Sequence, residues 1–347
     1  MWERGPISSA CSPPYNSPSM AGKVLITGVA GFIGSKVAEV FLNEGYEVVG
    51  IDNFDPYYPG EYKRLRLEPL LAYDTFTFHE GDFTDPEDVR EVITPDLDGI
   101  LHIGAKAGVR ASIKDPEAYF RVNTIGTLRI LNAMRERGVN RILMASTSSI
   151  YAGHPAPFRE EMKTDRPISP YAVSKKAAEN LLYTYHHLYG IDAFVLRYFT
   201  VYGPVGRPDM SVFKLMYSAM SGEEFPLYGD GTQRRSFSYI DDVARATFMA
   251  FQKVEGYDLF NVGNPDDHSL NTLISLVERY LNRKVNIRRY EFNRADLPIT
   301  RADIDKITDR IGWRPETSLE EGIRRTAEWF MENWEEIRRI FPRMPEI

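Results

Sequence analysis

From Lys23 the chain reads KVLITG and then VAGFIG, so a short β-branched run opens directly into three glycines, Gly28, Gly31 and Gly34. Few folds accept that arrangement. A strand that turns at once into a helix needs glycine for the tight turn, again where backbone must approach a ligand, and again where helix packs on strand. The free N–H groups and positive dipole at the helix start then suit a pyrophosphate. Taken alone the stretch also fits an ordinary turn, and only the pattern of the rest of the chain separates the two.

The rhythm continues. A helix expected over 32–44 is followed by EVVGID, TFTFHEG, GILHIG, RILMAS and AFVLRYF, short apolar runs separated by helical stretches. This alternation predicts an α/β fold, a Rossmann-type doubly wound parallel sheet with helices on both faces. After about residue 202 the pattern loosens, and GEEFPLYGDGTQRRSF is dense in turn residues. We therefore expect a sheet domain over 21–201 and a smaller C-terminal lobe over 202–347, with some segments of the latter returning to the main domain. A ligand cleft should lie where the two meet, beyond the carboxyl ends of the strands. Residues 1–20, rich in Ser and Pro, are expected to be a disordered extension outside the fold.

Composition narrows the partners. With 347 residues, 43% of them apolar, the chain can bury a sizeable core. A formal net charge of −7 without any block of Lys and Arg argues against nucleic acid. The single cysteine, Cys11, allows no internal disulfide, which suits a reducing cytoplasm, and the six histidines show no metal-ligand spacing. No apolar run approaches the roughly 18 residues a membrane helix needs.

Asp52 gives the glycines their meaning. It ends the second strand, where a carboxylate can accept both ribose hydroxyls of an adenosine and repel a 2′-phosphate, so NAD is favoured over NADP. Asp82, at the next strand end, either reaches the adenine edge or forms a turn. Further on, PYAVSKKAAEN places Tyr171 and Lys175 one helical turn apart on one face. A lysine ammonium about 4 Å from a phenol is worth about 4 kcal/mol at an effective dielectric of about 20. That would bring a group titrating near ~10 toward neutrality and make Tyr171 a general base.

TGVAGFIG, SSIYA and YAVSK together resemble the extended short-chain dehydrogenase/reductase family from Lys23 to the C-terminus, and within it the nucleotide-sugar epimerases. The resemblance implies a catalytic set of Thr147, Tyr171 and Lys175, with the Thr147 hydroxyl sharing the substrate O4 proton with Tyr171. It implies cofactor contacts at Gly28, Gly31, Phe32, Ile33, Gly34, Asp52, Asn53, Asp82, Phe83 and Lys106, besides Tyr171 and Lys175. ASTSSIYA becomes a shelf under the sugar's C4 end, with Ser148 and Ser149 beside it and the Ser146 hydroxyl satisfying backbone. Related dehydratases and decarboxylases carry carboxylates where Ser148 and Ser149 stand, so hydride removal and return is the chemistry expected here.

Other segments resemble substrate clamps. Arg110 lies near the sugar, unless it or Lys106 is simply solvated. Asn123 would support the strand bearing the shelf, Arg235 would grip the diphosphate, and Tyr228 with Val212, Phe213 and Lys214 would surround the uridine. Ser236 stands where Asp is usual. Asp296 resembles a second diphosphate or ribose contact, with Asn293 where Arg is usual and Arg294 as its substitute. Asp241 and Asp242 are expected to cap a helix.

RYFTVYGPVGRPDM resembles UDP-glucuronate 4-epimerases, since neutral-sugar enzymes carry Asn where Thr200 stands. Thr200 and Arg207 are then the pocket for a C6 carboxylate, or else Arg207 forms a salt bridge within the lobe. The expected reaction is C4 epimerisation of a UDP sugar through a 4-keto intermediate that swings about its diphosphate. The rivals are a UDP-glucose/UDP-galactose 4-epimerase and a non-catalytic NAD-binding sensor, which would need no general base. A homodimer through helices near 117–137 and 171–189 is also implied, with no nucleic acid, membrane or metal.

Overall fold

The computed structural model describes residues 21–291 and 297–345. Seven parallel strands form the main sheet: β1 (Gly22–Thr27), β2 (Tyr46–Asp52), β3 (Phe76–Glu80), β4 (Gly99–His102), β5 (Arg141–Thr147), β6 (Asp192–Tyr198) and β7 (Tyr257–Val262). Their order across the sheet is β3-β2-β1-β4-β5-β6-β7, so the winding reverses between β1 and β4. The crevice for ligands therefore opens at the carboxyl ends of those two strands. β7 comes from beyond residue 202 and pairs with β6 from Tyr257↔Ala193 to Val262↔Tyr198.

The strands read as near-continuous apolar runs because both faces are covered. Along β1, Val24 and Ile26 join the core on one face while Leu25 joins the other, the alternation that pleating requires. Helix α1 (Phe32–Asn43) lies on the first face, whereas α2 (Gly126–Arg137) places Ile130, Leu131 and Met134 on the second. The first core runs without a break into the C-terminal part, through Phe213, Trp313 and Phe330.

Helix α3 (Pro170–Tyr189) starts where Ser169 caps it, its side chain accepting from the Ala172 N–H, and Pro170 occupies the first turn. It stops at Gly190 in the left-handed region. In the C-terminal part, small two- and three-stranded sheets flank helices α4 (Ser211–Ser221) and α5 (Ile240–Phe251). Asp242 does not cap α5. Its buried carboxylate accepts from the backbone of Glu316 and Thr317, fastening a distant loop, while Asp241 pairs with Lys36. Among the described residues no helix is long and apolar enough to cross a membrane.

One buried ion pair joins several of these elements. Arg197 on β6 grips Glu179 on α3 through two bonds of 2.9 and 2.7 Å, with both side chains at most 1% exposed. Glu179 also accepts from Ser146 on β5 at 2.7 Å, so Ser146 serves a carboxylate rather than backbone groups. The third arm of Arg197 donates to the Tyr151 hydroxyl at 2.7 Å, which in turn donates to Asn261 on β7.

Removing one partner strands the other charge in the core, at a cost of about 3–5 kcal/mol, whereas an apolar replacement of both is far milder. Glu179→Leu should thus lower the urea midpoint sharply, and Glu179→Leu with Arg197→Met should recover much of the loss. Equal losses in the single and double variants would mean that the pair adds nothing beyond its packing.

Candidate active site

The glycine turn is built by contact. Gly28 has φ of 69°, and a Cβ there would lie 2.5 Å from the Gly104 Cα, so the loops leaving β1 and β4 touch backbone to backbone. A Cβ on Gly34 would collide with the Gly28 carbonyl, which is why α1 can start so close beneath β1. Gly31 caps α1 without a side-chain bond. Its first-turn N–H groups face a cleft of about 720 Å³ lined by Gly28, Gly31, Phe32, Ile33 and Gly34.

Asp52 ends β2 at the same cleft. One carboxylate oxygen accepts from the Ala30 N–H at 3.1 Å and the other from Phe54 at 2.8 Å, so the acid also fixes the glycine loop. Burial raises its carboxyl above the usual range, against the pull of Lys63. Asp82 is both turn former and wall: it accepts from the Thr84 N–H and from the Asn53 amide at 3.0 Å. Phe83 packs where a Cβ on Gly104 would fall 2.6 Å from its ring. Lys106 lines the cleft but is paired with Asp55 at 2.9 Å. Asn123 does not brace the shelf strand; it accepts from the Lys106 N–H, donates to the Lys106 carbonyl and reaches Ser174 on α3, so it ties the loop after β4 to that helix.

Thr147 ends β5, and its side chain accepts from the Ser149 N–H at 3.1 Å, turning Ser148 and Ser149 into the cleft as a short 3₁₀ turn. Tyr171 sits in the first turn of α3, with the Tyr119 ring edge-on at 6.1 Å. Burial raises the phenol's pKa; the Thr147 hydroxyl and Arg207 pull it down, and Asp209 pushes it up. In the protein alone burial is the largest influence on both Tyr171 and Lys175. Burial lowers the Lys175 ammonium to about 8, and Glu179 opposes that only in part. At 1% exposure, Lys175 Nζ has no hydrogen-bond partner among the described residues. A buried amine lining a nucleotide-sized cleft needs acceptors, and ribose hydroxyls supply them, so these residues fit a dinucleotide.

Of the expected substrate contacts, Arg110, Thr200, Arg207, Lys214 and Arg235 line the cleft. Val212 and Phe213 do not. Both are 4% exposed and turn into the core, since helical spacing leaves Lys214 as the residue of that trio on the cleft side. Tyr228 lies under the Arg110 guanidinium at 4.6 Å and stacks on Tyr290. Ser236 bonds the Asn264 backbone in both directions, taking a structural part in the loop. Asp296, Asn293 and Arg294 fall outside the described residues.

Arg207 is held in a fork by Asp209, at 3.0 and 2.5 Å, and the Tyr57 hydroxyl donates to the same carboxylate at 3.3 Å. Asp209 and Tyr57 do not stand out in the sequence, where an acid two residues after an arginine carries no signal. Nor does His102, which is fully buried on β4 and bridges Thr27 and Thr127 at 2.8 and 3.0 Å. Thr127 donates to the Asn123 carbonyl, so it accepts from His102 Nε2, and burial keeps the imidazole neutral.

A model of the NAD dependent epimerase/dehydratase family matches residues 24–263, reaching through β7. The chain belongs to that family. A UDP-glucuronate 4-epimerase of Thermodesulfobacterium geofontis is 44% identical over 92% of this chain and 99% of its own length. Among solved structures, the UDP-glucuronic acid 4-epimerase of Bacillus cereus in complex with UDP-glucuronic acid and NAD aligns at TM-score 0.85 and 32% identity, over 89% of this chain and 99% of its own. A UDP-glucose 4-epimerase of Thermotoga maritima with UDP-glucose aligns at TM-score 0.82 and 30% identity, over 90% of this chain and 99% of its own. In this family member the glycine turn, Asp52, Tyr171 and Lys175 meet in one cleft.

An ammonium whose pKa falls on folding binds fewer protons folded than unfolded between about 8 and its ordinary value of 10.5, so the fold gains stability as pH rises through that window. Lys175→Met should abolish turnover yet raise the melting temperature of cofactor-stripped protein at pH 7. The gain should shrink by pH 10. A variant less stable than wild type at pH 7 would show that the amine is accommodated without strain.

Proposed function

We propose that this family member catalyses NAD-dependent C4 epimerisation of a UDP sugar and converts UDP-glucuronate to UDP-galacturonate. The observation that carries the reading is that Arg207 and Thr200 line the same cleft as Tyr171 and Thr147. An arginine fork that matches a carboxylate's two oxygens then lies in the chamber that holds the proton-transfer pair. NAD, when bound, supplies the hydride acceptor for C4 and a cationic ring that favours the phenolate. Tyr171 takes the O4 proton, with the Thr147 hydroxyl in the same hydrogen-bond line, and returns it after the sugar has presented its other face. Lys175 anchors the cofactor ribose and keeps positive charge one turn from the phenol.

Ser148 and Ser149 neither donate nor abstract a proton as carboxyl groups would, which favours epimerisation over dehydration. The 4-keto uronate is a β-keto acid and loses CO₂ when its carboxylate rotates into line with the carbonyl, so holding that group still belongs to the catalysis. Arg110, Lys214 and Arg235 supply positive charge in the same cleft for the diphosphate. Asp209 favours a second reading, a neutral-sugar UDP-glucose/UDP-galactose epimerase, because it already neutralises Arg207.

We read 21–201, completed by β7, as the cofactor-binding part. A homodimer fits the exposed apolar side chains of Phe120, Ile125, Val173, Leu188 and Tyr189, which lie within the two helical segments named from sequence, and the single cysteine suits a reducing cytoplasm.

The decisive measurement follows C4 epimers by NMR with UDP-glucuronate and, separately, UDP-glucose. UDP-galacturonate should form much faster than UDP-galactose. Arg207→Ala should slow the acidic substrate selectively and release some pentose product. Faster turnover of UDP-glucose by the wild type, or equal slowing of both substrates by Arg207→Ala, would hand the assignment to the neutral-sugar reading.

A further inference from the structure

The loop between the Thr200–Tyr202 strand and α4 carries both the arginine proposed to meet the sugar and an acid that already holds it. Asp209 fills the Arg207 fork with both oxygens, at 3.0 and 2.5 Å. Its carboxylate is only 9% exposed, against 25% for the Arg207 side chain, and both residues line the cleft. Tyr57 also donates to the acid, and the Arg207 guanidinium lies 6.0 Å from the Tyr57 ring centre. The loop itself is pinned from behind: Arg66 and Tyr62 donate to the carbonyls of Val205 and Gly206 at 2.8 to 3.2 Å. Val205 holds a φ of 54°, a conformation costly for a β-branched residue, which that bracing maintains.

A guanidinium offers two edges to carboxylates, and Asp209 takes the Nε–Nη2 edge of Arg207. An incoming carboxylate meets a guanidinium whose charge Asp209 already offsets, and it competes with that acid for the donors it shares. An incoming neutral sugar has no such demand, because Arg207 keeps its counter-charge while the sugar covers it. Without Asp209, a neutral sugar would bury an unpaired guanidinium, and an acidic sugar would find the fork open.

We propose that Asp209 is a specificity-determining residue, an internal carboxylate that competes with a substrate carboxylate for Arg207 and thereby moderates the preference for uronic acid over neutral UDP sugars. It deepens the uronate reading and rests on it. If Asp209 holds the fork in roughly nine conformations of ten, the apparent affinity for the acidic substrate is reduced about tenfold.

The test is calorimetric binding of UDP-glucuronate and of UDP-glucose to wild-type and Asp209→Asn holoenzyme, with thermal melting in parallel. The affinity ratio of acidic to neutral ligand should rise about tenfold in Asp209→Asn, by the same competition arithmetic. If Asn compromises the fold, Asp209→Ser, which keeps an acceptor for Tyr57, replaces it with the same expectation. An unchanged or lower ratio in a folded variant overturns the proposal and makes Asp209 a support that orients Arg207. Because binding is read without turnover, that outcome is distinct from failure of the uronate assignment, which would appear as wild-type epimerisation of UDP-glucose in preference to UDP-glucuronate.

Discussion

The Arg197–Glu179 fork is the constraint on which the cleft's hydroxyl shelf depends. Two charges removed from water in the sheet interior are tolerable only when every donor and acceptor finds a partner, and here Ser146, Lys176 and Tyr151 complete the set. That demand fixes geometry. Ser146 immediately precedes Thr147, and Glu179 lies one turn beyond Lys175, so satisfying the buried pair also sets the spacing between the hydroxyl shelf and the helix of Tyr171 and Lys175. Glu179 in addition supplies the negative field that keeps the Lys175 ammonium from falling further under burial.

The cofactor side is organised by backbone contact instead. Gly28 against Gly104, and Gly34 beneath the Gly28 carbonyl, bring β1, β4 and α1 closer than any side chain would allow. The crevice at the reversal of strand order is thereby narrow at its floor. Asp52 then accepts with both oxygens from the backbone of Ala30 and Phe54, so the acid at the end of β2 also holds the turn at the cleft. Such sharing explains how one strand end can be both scaffold and site.

Much of this is legible in the sequence because it is written in local pattern. Apolar runs announce β1 to β6, glycine spacing announces the turn, and a one-turn interval places Tyr171 and Lys175 on a single helix face. What escapes depends on long-range packing. Arg197 and Glu179 lie in unremarkable strand and helix contexts, and only the fold makes them partners. Helix phase, invisible in a tripeptide, sends Val212 and Phe213 inward and Lys214 to the cleft. Burial of Tyr171 and Lys175, which pushes the two groups' pKa values in opposite directions, is likewise invisible in their spacing. Arg207 stands out in the sequence, but the carboxylate that holds it, Asp209, emerges only from the folded loop.

The return of β7 to the sheet has a consequence for the order in which the chain can mature as it is synthesised. Residues up to β6 can pair with their neighbours soon after they emerge, yet the edge of β6 stays open until Tyr257–Val262 arrives. Asn261, the acceptor for the Tyr151 hydroxyl, comes with that same strand. Until then a nascent chain exposes an unsatisfied strand edge beside a polar network lacking its last member, the kind of surface that invites mispairing. The shelf and its helix are therefore translated early and finished late, so a ribosome stalled before β7 would release a chain containing Thr147, Tyr171 and Lys175 without the edge strand that closes the sheet around their supports.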